Sequence, residues 1–369
     1  MKIGIIGGGI SGLYSAHRLE QKGHDVTIFE KNNWGGDIQT TKFDGKEYPI
    51  STLFDMSEGG ELTKELNKYN IKSSINYAYG KDKFTSKHFV TFTIFLIGII
   101  IGFTYNSKIC ISLMVLIIIA LILIIMPVQN SIKSYIYNRT IKPVELSFGA
   151  CKVCENDKNF NPTELKLNNI FDDIQVLVKL LTNQFYFPEN CGFMKLVKIY
   201  LKNKNIIYIN SGVDFIDRDH KSVFVGNGNY QFDKIIVACN YESYKDLISL
   251  YKNEKEVLSN ARTFKFYSSI VKINNETDDN QHINKYNDIL GYFELDKNIN
   301  LYATHAPLII KNNITYKTFE WDMPIIENIA VKQKINNINK NIIFIGKELA
   351  GSGVNLCIDY AKEIVDTYF

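Results

Sequence analysis

The sequence predicts an α/β fold that carries a pair of membrane-crossing helices. Three observations lead there. A β-branched run breaks into glycines and then into a helical repeat; a second apolar strand ends in an acid; two long apolar runs lie nearer the middle. The chain has 369 residues, 46% hydrophobic and 22% charged, which suits two domains with substantial cores. A formal net charge of +3 implies no strong pull toward nucleic acid. Arginine occurs only at Arg18, Arg139, Arg218 and Arg262, while lysine and asparagine are abundant. Lysine runs therefore read as solvated faces. No apolar run of signal-peptide length precedes the first glycines, so the N-terminus is expected to belong to the fold rather than to a signal peptide.

Residues 2–8, KIGIIGG, form a short β-branched run ending in glycine, the pattern of a buried parallel strand. Gly7, Gly9 and Gly12 follow the G-x-G-x-x-G spacing, with Ser11 inside the turn. Leu13, Ala16 and Leu19 then repeat at helical spacing, and Gly23 closes the helix. DVTIFE is the second strand and ends in Glu30, with Lys31 next. Each part has a physical reason. Gly7 permits a tight turn, Gly9 lets backbone approach a pyrophosphate, and Gly12 lets helix and strand pack closely. The helix N-terminus offers free N–H groups and a positive dipole end to phosphate. Glu30 is placed to accept hydrogen bonds from a ribose diol. A glycine-rich turn without a ligand shows the same bare spacing. Here strand, glycines, helix, strand and acid arrive in order, which points to a dinucleotide.

Past Glu30 the chain reads KNNWGGDIQTTKFDGKEYPISTLFDM. This resembles the flavin-containing amine oxidase superfamily, which includes protoporphyrinogen oxidases and phytoene desaturases. There a strand-end Glu is followed by Gly-Gly, usually Gly-Gly-Arg, then a Thr and a short hairpin. Gly35, Gly36 and Thr40 match; Asp37 stands where the arginine is usual. The resemblance implies FAD as cofactor. Residues 205–240, NIIYINSGVDFIDRDHKSVFVGNGNYQFDKIIVACN, resemble the family's second flavin-domain segment. Val213 takes the position near the adenine and Ala238 the small strand-end position. The C-terminal NIIFIGKELAGSGVNLCIDYAKEIVDTYF resembles the closing motif. Gly346 matches the strand-end glycine. Gly351, Ser352, Gly353 and Val354 match the loop whose helix points its N-terminus at the flavin. The family often has an acid directly after the first glycine; this chain has Lys347 there and Glu348 next.

The resemblance thus implies a discontinuous FAD-binding Rossmann-like domain with an inserted α+β substrate domain, to which the apolar runs add a two-helix transmembrane hairpin. The expected division is 1–60, 191–245 and 335–369 for the FAD-binding domain. The substrate domain takes 61–190, including the hairpin at 89–128, and 246–334. The hairpin reading rests on residues 89–105 and 109–128, between whose outer ends only Lys108 is charged. About 20 apolar residues cross a hydrocarbon core ~30 Å thick. The first run is slightly short for this and is expected to cross with some bilayer thinning, or to dip in and return. Gly98 and Gly102 give the first run a G-x-x-x-G face for close helix approach. Lys81, Lys83, Lys87 and His88 precede the pair; Lys133, Arg139 and Lys142 follow it. Basic flanks on both sides place both, and the catalytic domain, on the cytosolic face. The alternative is a pair of buried core segments.

A flavin oxidase needs a dry cavity, an aimed substrate and sometimes a base. The family's lysine near the flavin has no convincing match; Lys265 and Lys272 read as surface lysines. Phe319 and Trp321 are expected either to line the substrate cavity or to sit in the core. His17 and His24 are expected on the surface of the first helix, and His305 as a satisfied structural histidine. Cys151 and Cys154 form a lone C-x-x-C without further ligands, so they read as ordinary reduced thiols, and no metal is expected. The expected function is a membrane-anchored FAD-dependent oxidoreductase removing a hydride from a C–N or C–C bond of an apolar or amine substrate. No catalytic side chain is assigned, and the partners are a small molecule and a membrane. The alternatives are a nucleotide-binding protein without redox turnover and a flavin-dependent isomerase or mutase.

Overall fold

A computed structural model describes residues 1–51, 60–76, 185–189, 191–258, 263–274, 283, 289–304, 306–310, 314–324, 335–336, 340–350 and 353–369. All of them belong to one compact unit, Met1–Tyr77 with Leu146–Phe369; the second unit, Ala78–Glu145, lies outside the described residues. So does the whole predicted hairpin at 89–128. Among the described residues no helix is long and apolar enough to cross a membrane.

The first half runs β1 (Lys2–Ile6), α1 (Ile10–Gln21), β2 (Asp25–Phe29), β3 (Thr40–Phe43), β4 (Lys46–Pro49), α2 (Glu61–Lys68), β5 (Ser73–Asn76), β6 (Phe185–Pro188) and α3 (Gly192–Tyr200). It continues through β7 (Ile207–Ile209), β8 (Phe215–Asp217), β9 (Ser222–Val225), β10 (Gly228–Gln231), β11 (Lys234–Val237), α4 (Tyr241–Tyr244) and α5 (Lys252–Leu258). Then come β12 (Thr263–Lys272), β13 (Ile289–Asp296), β14 (Ile299–Thr304), β15 (Thr315–Pro324), β16 (Ile342–Phe344), α6 (Lys347–Ala350) and α7 (Val354–Tyr368).

The nucleotide-binding core is a five-stranded sheet in the order β16-β11-β1-β2-β7. Every neighbouring pair in it is parallel. A parallel sheet is covered on both faces, so its strands read as continuous apolar runs rather than alternating ones. β1 and β2 show this, each buried from its second residue onward. Helix α1 lays Leu13, Ala16 and Leu19 against the sheet, and α7 adds Ile358, Ala361 and Val365 to the same core. A forked contact from Arg18 Nη2 to Asp366 Oδ1, at 2.7 Å, ties α1 to α7. Leu62 and Leu66 of α2 enter this core too.

The antiparallel parts hang on this frame. Strands β8, β9 and β10 make a three-stranded meander, and β13-β14-β12-β15 make a separate four-stranded sheet. The β3–β4 hairpin buries Phe43 and Tyr48 against Ile270, Ile299 and Leu301 of that sheet. The hairpin after the glycine pair thereby joins the nucleotide-binding sheet to the second one.

Candidate dinucleotide site

The carboxyl edge of the parallel sheet carries the site, because each strand hands its ladder to the turn that follows. Gly7 N–H donates to Phe29 O at 2.8 Å, Ala238 N–H to Ile6 O at 2.7 Å and Ile345 N–H to Val237 O at 2.8 Å. Gly7, Glu30, Ala238 and Gly346 therefore lie side by side, where open α/β sheets bind their ligands.

The glycines are required by contact. Gly7 has φ +111° and Gly346 has φ +126°, a region disfavoured by any Cβ. A Cβ on Gly12 would stand 2.0 Å from the Gly7 carbonyl oxygen. The Gly35–Gly36 pair wraps the turn: Gly35 N–H donates to Gly8 O at 2.8 Å, and a Cβ on Gly36 would stand 3.0 Å from Gly9 Cα. Gly9 itself faces space: the nearest heavy atom to its missing Cβ is Gly36 Cα at 4.0 Å. That hollow lies at the N-terminus of α1, whose first turn holds no acid.

Glu30 is locked onto the turn. Its Oε2 accepts from Gly8 N–H at 2.6 Å and its Oε1 from Asn32 N–H at 2.7 Å. The stem of Lys31 lies over Gly212, beside Val213, which packs against the core. Gly353 precedes α7, and Val354 opens that helix buried, with no acid in its first turn. Ser11 is buried and hydrogen-bonded to the Cys357 thiol of α7. The N-termini of α1 and α7 are thus brought together. Of the predicted site residues, Gly7, Gly9, Ser11, Gly12, Glu30, Gly35, Gly36 and Gly346 lie around this edge, and Gly353 and Val354 stand at the start of α7. Lys31 and Val213 flank it at the Gly212 side. Gly351 and Ser352 lie outside the described residues.

Asp37 and Lys347 meet. Lys347 Nζ donates to Asp37 Oδ2 at 2.6 Å, and also to the Asp322 carbonyl oxygen of β15.

The NAD(P)-binding Rossmann-like domain family matches residues 5–69. An uncharacterized protein from the nifH2 3′ region of Methanothermococcus thermolithotrophicus is 44% identical over 70 residues, 19% of this chain and 69% of that one. A 4,4′-diapophytoene desaturase of Staphylococcus aureus is 54% identical over 57 residues, 15% of this chain but 11% of the desaturase. The chain belongs to this Rossmann-type superfamily. The fold likeness extends further than the sequence likeness. A CLA-producing fatty acid isomerase from P. acnes superposes with TM-score 0.66 over 100% of this chain and 98% of its own, at 14% identity.

Within the superfamily fold, the substrate-side candidates separate clearly. Lys265 is exposed and paired to Glu320 and Asp322 at 2.7 and 2.9 Å, and Lys272 to Asp44 at 2.8 Å. Both are surface ion-pair lysines. Phe319 stacks on Trp321, whose indole N–H donates to Ser268 Oγ at 2.7 Å, and Phe319 packs on the cluster under the β3–β4 hairpin. His305, Cys151 and Cys154 lie outside the described residues. His17 corrects an expectation. It is not a plain surface residue but is half-buried on the Tyr200 ring, with centroids 5.0 Å apart, and burial lowers its pKa. Helix α3 covers the flank of α1 that carries it, which the periodicity of α1 alone does not reveal.

Glu348 is the residue that sequence reasoning passed over. It is 5% exposed. Its Oε2 accepts from Tyr241 N–H at 2.6 Å, and its Oε1 has no partner among the described residues. Burial pushes its carboxyl from 4.5 up to about 7, against the opposing pull of the Tyr241 N–H. The second acid-bearing position after Gly346 was the available signal. A raised carboxyl favours the folded state while protonated in both states, below pH 4.5, and that contribution is lost as pH rises through about 7. The apoprotein is therefore expected to lose about 3 kcal/mol of stability across this window through Glu348. Glu348→Gln removes that slope, measured as urea midpoints at several pH values.

Proposed function

We propose that the chain is a membrane-anchored FAD-dependent oxidoreductase that removes a hydride from a C–N or C–C bond of an apolar or amine substrate. The observation that carries this reading is the convergence on one sheet edge of three distant segments. They contribute the glycine turn, Ala238, and Gly346 with Val354, and the open space at Gly9 lies at the acid-free N-terminus of α1. The same convergence supports the division into an FAD-binding domain of 1–60, 191–245 and 335–369 and a substrate domain of 61–190 and 246–334.

The residues fit the cofactor. Gly9, Ser11 and Gly12 present backbone N–H groups for the pyrophosphate at the turn that Gly7 makes, Glu30 and Lys31 lie toward the ribose, and Val213 toward the adenine. Gly346, Gly353 and Val354 close over the flavin end. The unpartnered Oε1 of Glu348 is a buried acceptor that a cofactor hydroxyl would satisfy. Bound flavin supplies the hydride acceptor. The protein contributes position, exclusion of water and the positive end of α7. The apolar runs at 89–128, with basic residues on both sides, support anchoring with the catalytic domain on the cytosolic face.

Colour tests this. Protein purified in mild detergent is expected to show an oxidised-flavin band near ~450 nm that bleaches with substrate. A colourless protein that takes up no FAD on reconstitution would sink the reading and favour nucleotide binding without turnover. A flavin-dependent isomerase is the second reading, favoured by the extent of the fold shared with the fatty acid isomerase. Substrate conversion without consumption of any electron acceptor would identify it.

A further inference from the structure

We propose that Lys347 is the cation that answers the pyrophosphate of the bound dinucleotide, and that Asp37 holds it in reserve until the dinucleotide arrives. This rests on the reading of the sheet edge as a dinucleotide site.

Position is the first ground. Asp37 directly follows Gly36, the residue pressed against Gly9, so its carboxylate is one residue from the hollow at the start of α1. Lys347 comes from a distant segment, directly after Gly346, which follows β16 by two residues. The ammonium and carboxylate meet at 2.6 Å, and the lysine side chain is only 21% exposed. Gly346, just before Lys347, and Gly12 in the first turn of α1 both lie against Ala238, which is 3.6 and 3.4 Å from where their Cβ atoms would stand. The pair therefore belongs to the space where α1 and α7 begin.

Charge is the second ground. A free carboxylate beside a phosphate site repels the ligand. The first turns of α1 and α7 hold no acid, yet Asp37 directly follows the glycine that touches Gly9. Lys347 neutralises it and is itself placed by the Asp322 carbonyl. The resembled family usually has an arginine at the position of Asp37 and an acid at that of Lys347. This chain carries the opposite charge at both positions, and its two residues meet. The cation therefore enters from the C-terminal turn instead of from the Gly-Gly loop. A lysine head on a flexible stem can exchange one anionic partner for another at nearly the same place.

The test is one of sign. FAD and NADH dissociation constants are measured on the full chain for Lys347→Met, Lys347→Arg, Asp37→Asn and the Met/Asn double variant. Lys347→Met is expected to weaken binding about ten- to hundredfold, the worth of one hydrogen bond to a charged group. Lys347→Arg stays within about threefold. Asp37→Asn tightens binding, and tightens it less in the Lys347→Met background. If Lys347→Met and Asp37→Asn both weaken binding, or neither changes it, the pair is a structural clasp and the proposal fails. Uptake of NADH but not FAD would end the flavin reading while the same signs, read on NADH, still judge Lys347. Binding of neither overturns both.

Discussion

Replacing Gly12 by alanine is expected to abolish dinucleotide binding and to destabilise the protein by about 3 kcal/mol or more. The added methyl would lie 2.0 Å from the Gly7 carbonyl oxygen and 3.4 Å from the Ala238 side chain. Neither neighbour is a flexible side-chain end, so α1 must move off β1. Moving it displaces the turn, the hollow at Gly9 and the helix end together. Gly23→Ala is the control. Gly23 also has a positive φ, +82°, but nothing lies within 4 Å of its missing Cβ. That substitution costs about 1 kcal/mol in backbone conformation and leaves binding alone. Thermal midpoints with and without FAD separate the two. If Gly12→Ala bound FAD normally, close packing of helix and turn would not be what the third glycine provides.

Glu254→Ala is expected to cost about 3–5 kcal/mol, because it strands a charge in the interior. Arg218 follows β8 and is 8% exposed; Glu254 on α5 is fully buried. Two parallel contacts join them, Nη1 to Oε2 at 2.6 Å and Nη2 to Oε1 at 2.5 Å. The guanidinium also donates to Ser249 O at 2.9 Å and lies over the Tyr251 ring at 3.9 Å. The pair fastens the meander to α5, away from the sheet edge. Removing both charges as Arg218→Met with Glu254→Leu is expected to cost far less than Glu254→Ala, since no ion is left behind. Denaturant midpoints of these two variants and of the unchanged protein decide this. Equal losses would mean that the pair stabilises by attraction rather than merely avoiding an unpaired charge.

What could be read from the chain in advance was what is local. The strand, glycines, helix and acid of the first segment announce themselves within one stretch, because each residue's reason lies a few positions away. Gly346 and Val354 were reached instead through the resemblance of the C-terminal segment to the family's closing motif. Asp37 and Lys347 were each visible as departures, but their contact joins residues 310 apart in sequence. No periodicity carries such information, so two apparent defects stood alone until the fold paired them. Glu348 was hidden differently. A charged residue at the start of a short helix looks solvent-facing, and only the segment at Tyr241, delivered by another strand, covers it. His17 misled because a helix carries no record of what packs on its flank.

The order of strands in the parallel sheet also governs when the sheet can exist. β1 lies at its centre, yet one neighbour is β11 and the sheet's edge beyond that is β16. During synthesis β1, α1 and β2 leave the ribosome long before either arrives, at about 5–20 residues per second. One flank of β1 must wait with its peptide groups unpaired and apolar side chains exposed. The closing pieces are β16 and α7, at 342–344 and 354–368, and α7 also covers α1. Such late, long-range pairing makes folding slow and exposes the nascent chain to aggregation. A nascent chain stalled before β16 is thus a natural client for a chaperone that shields apolar surface.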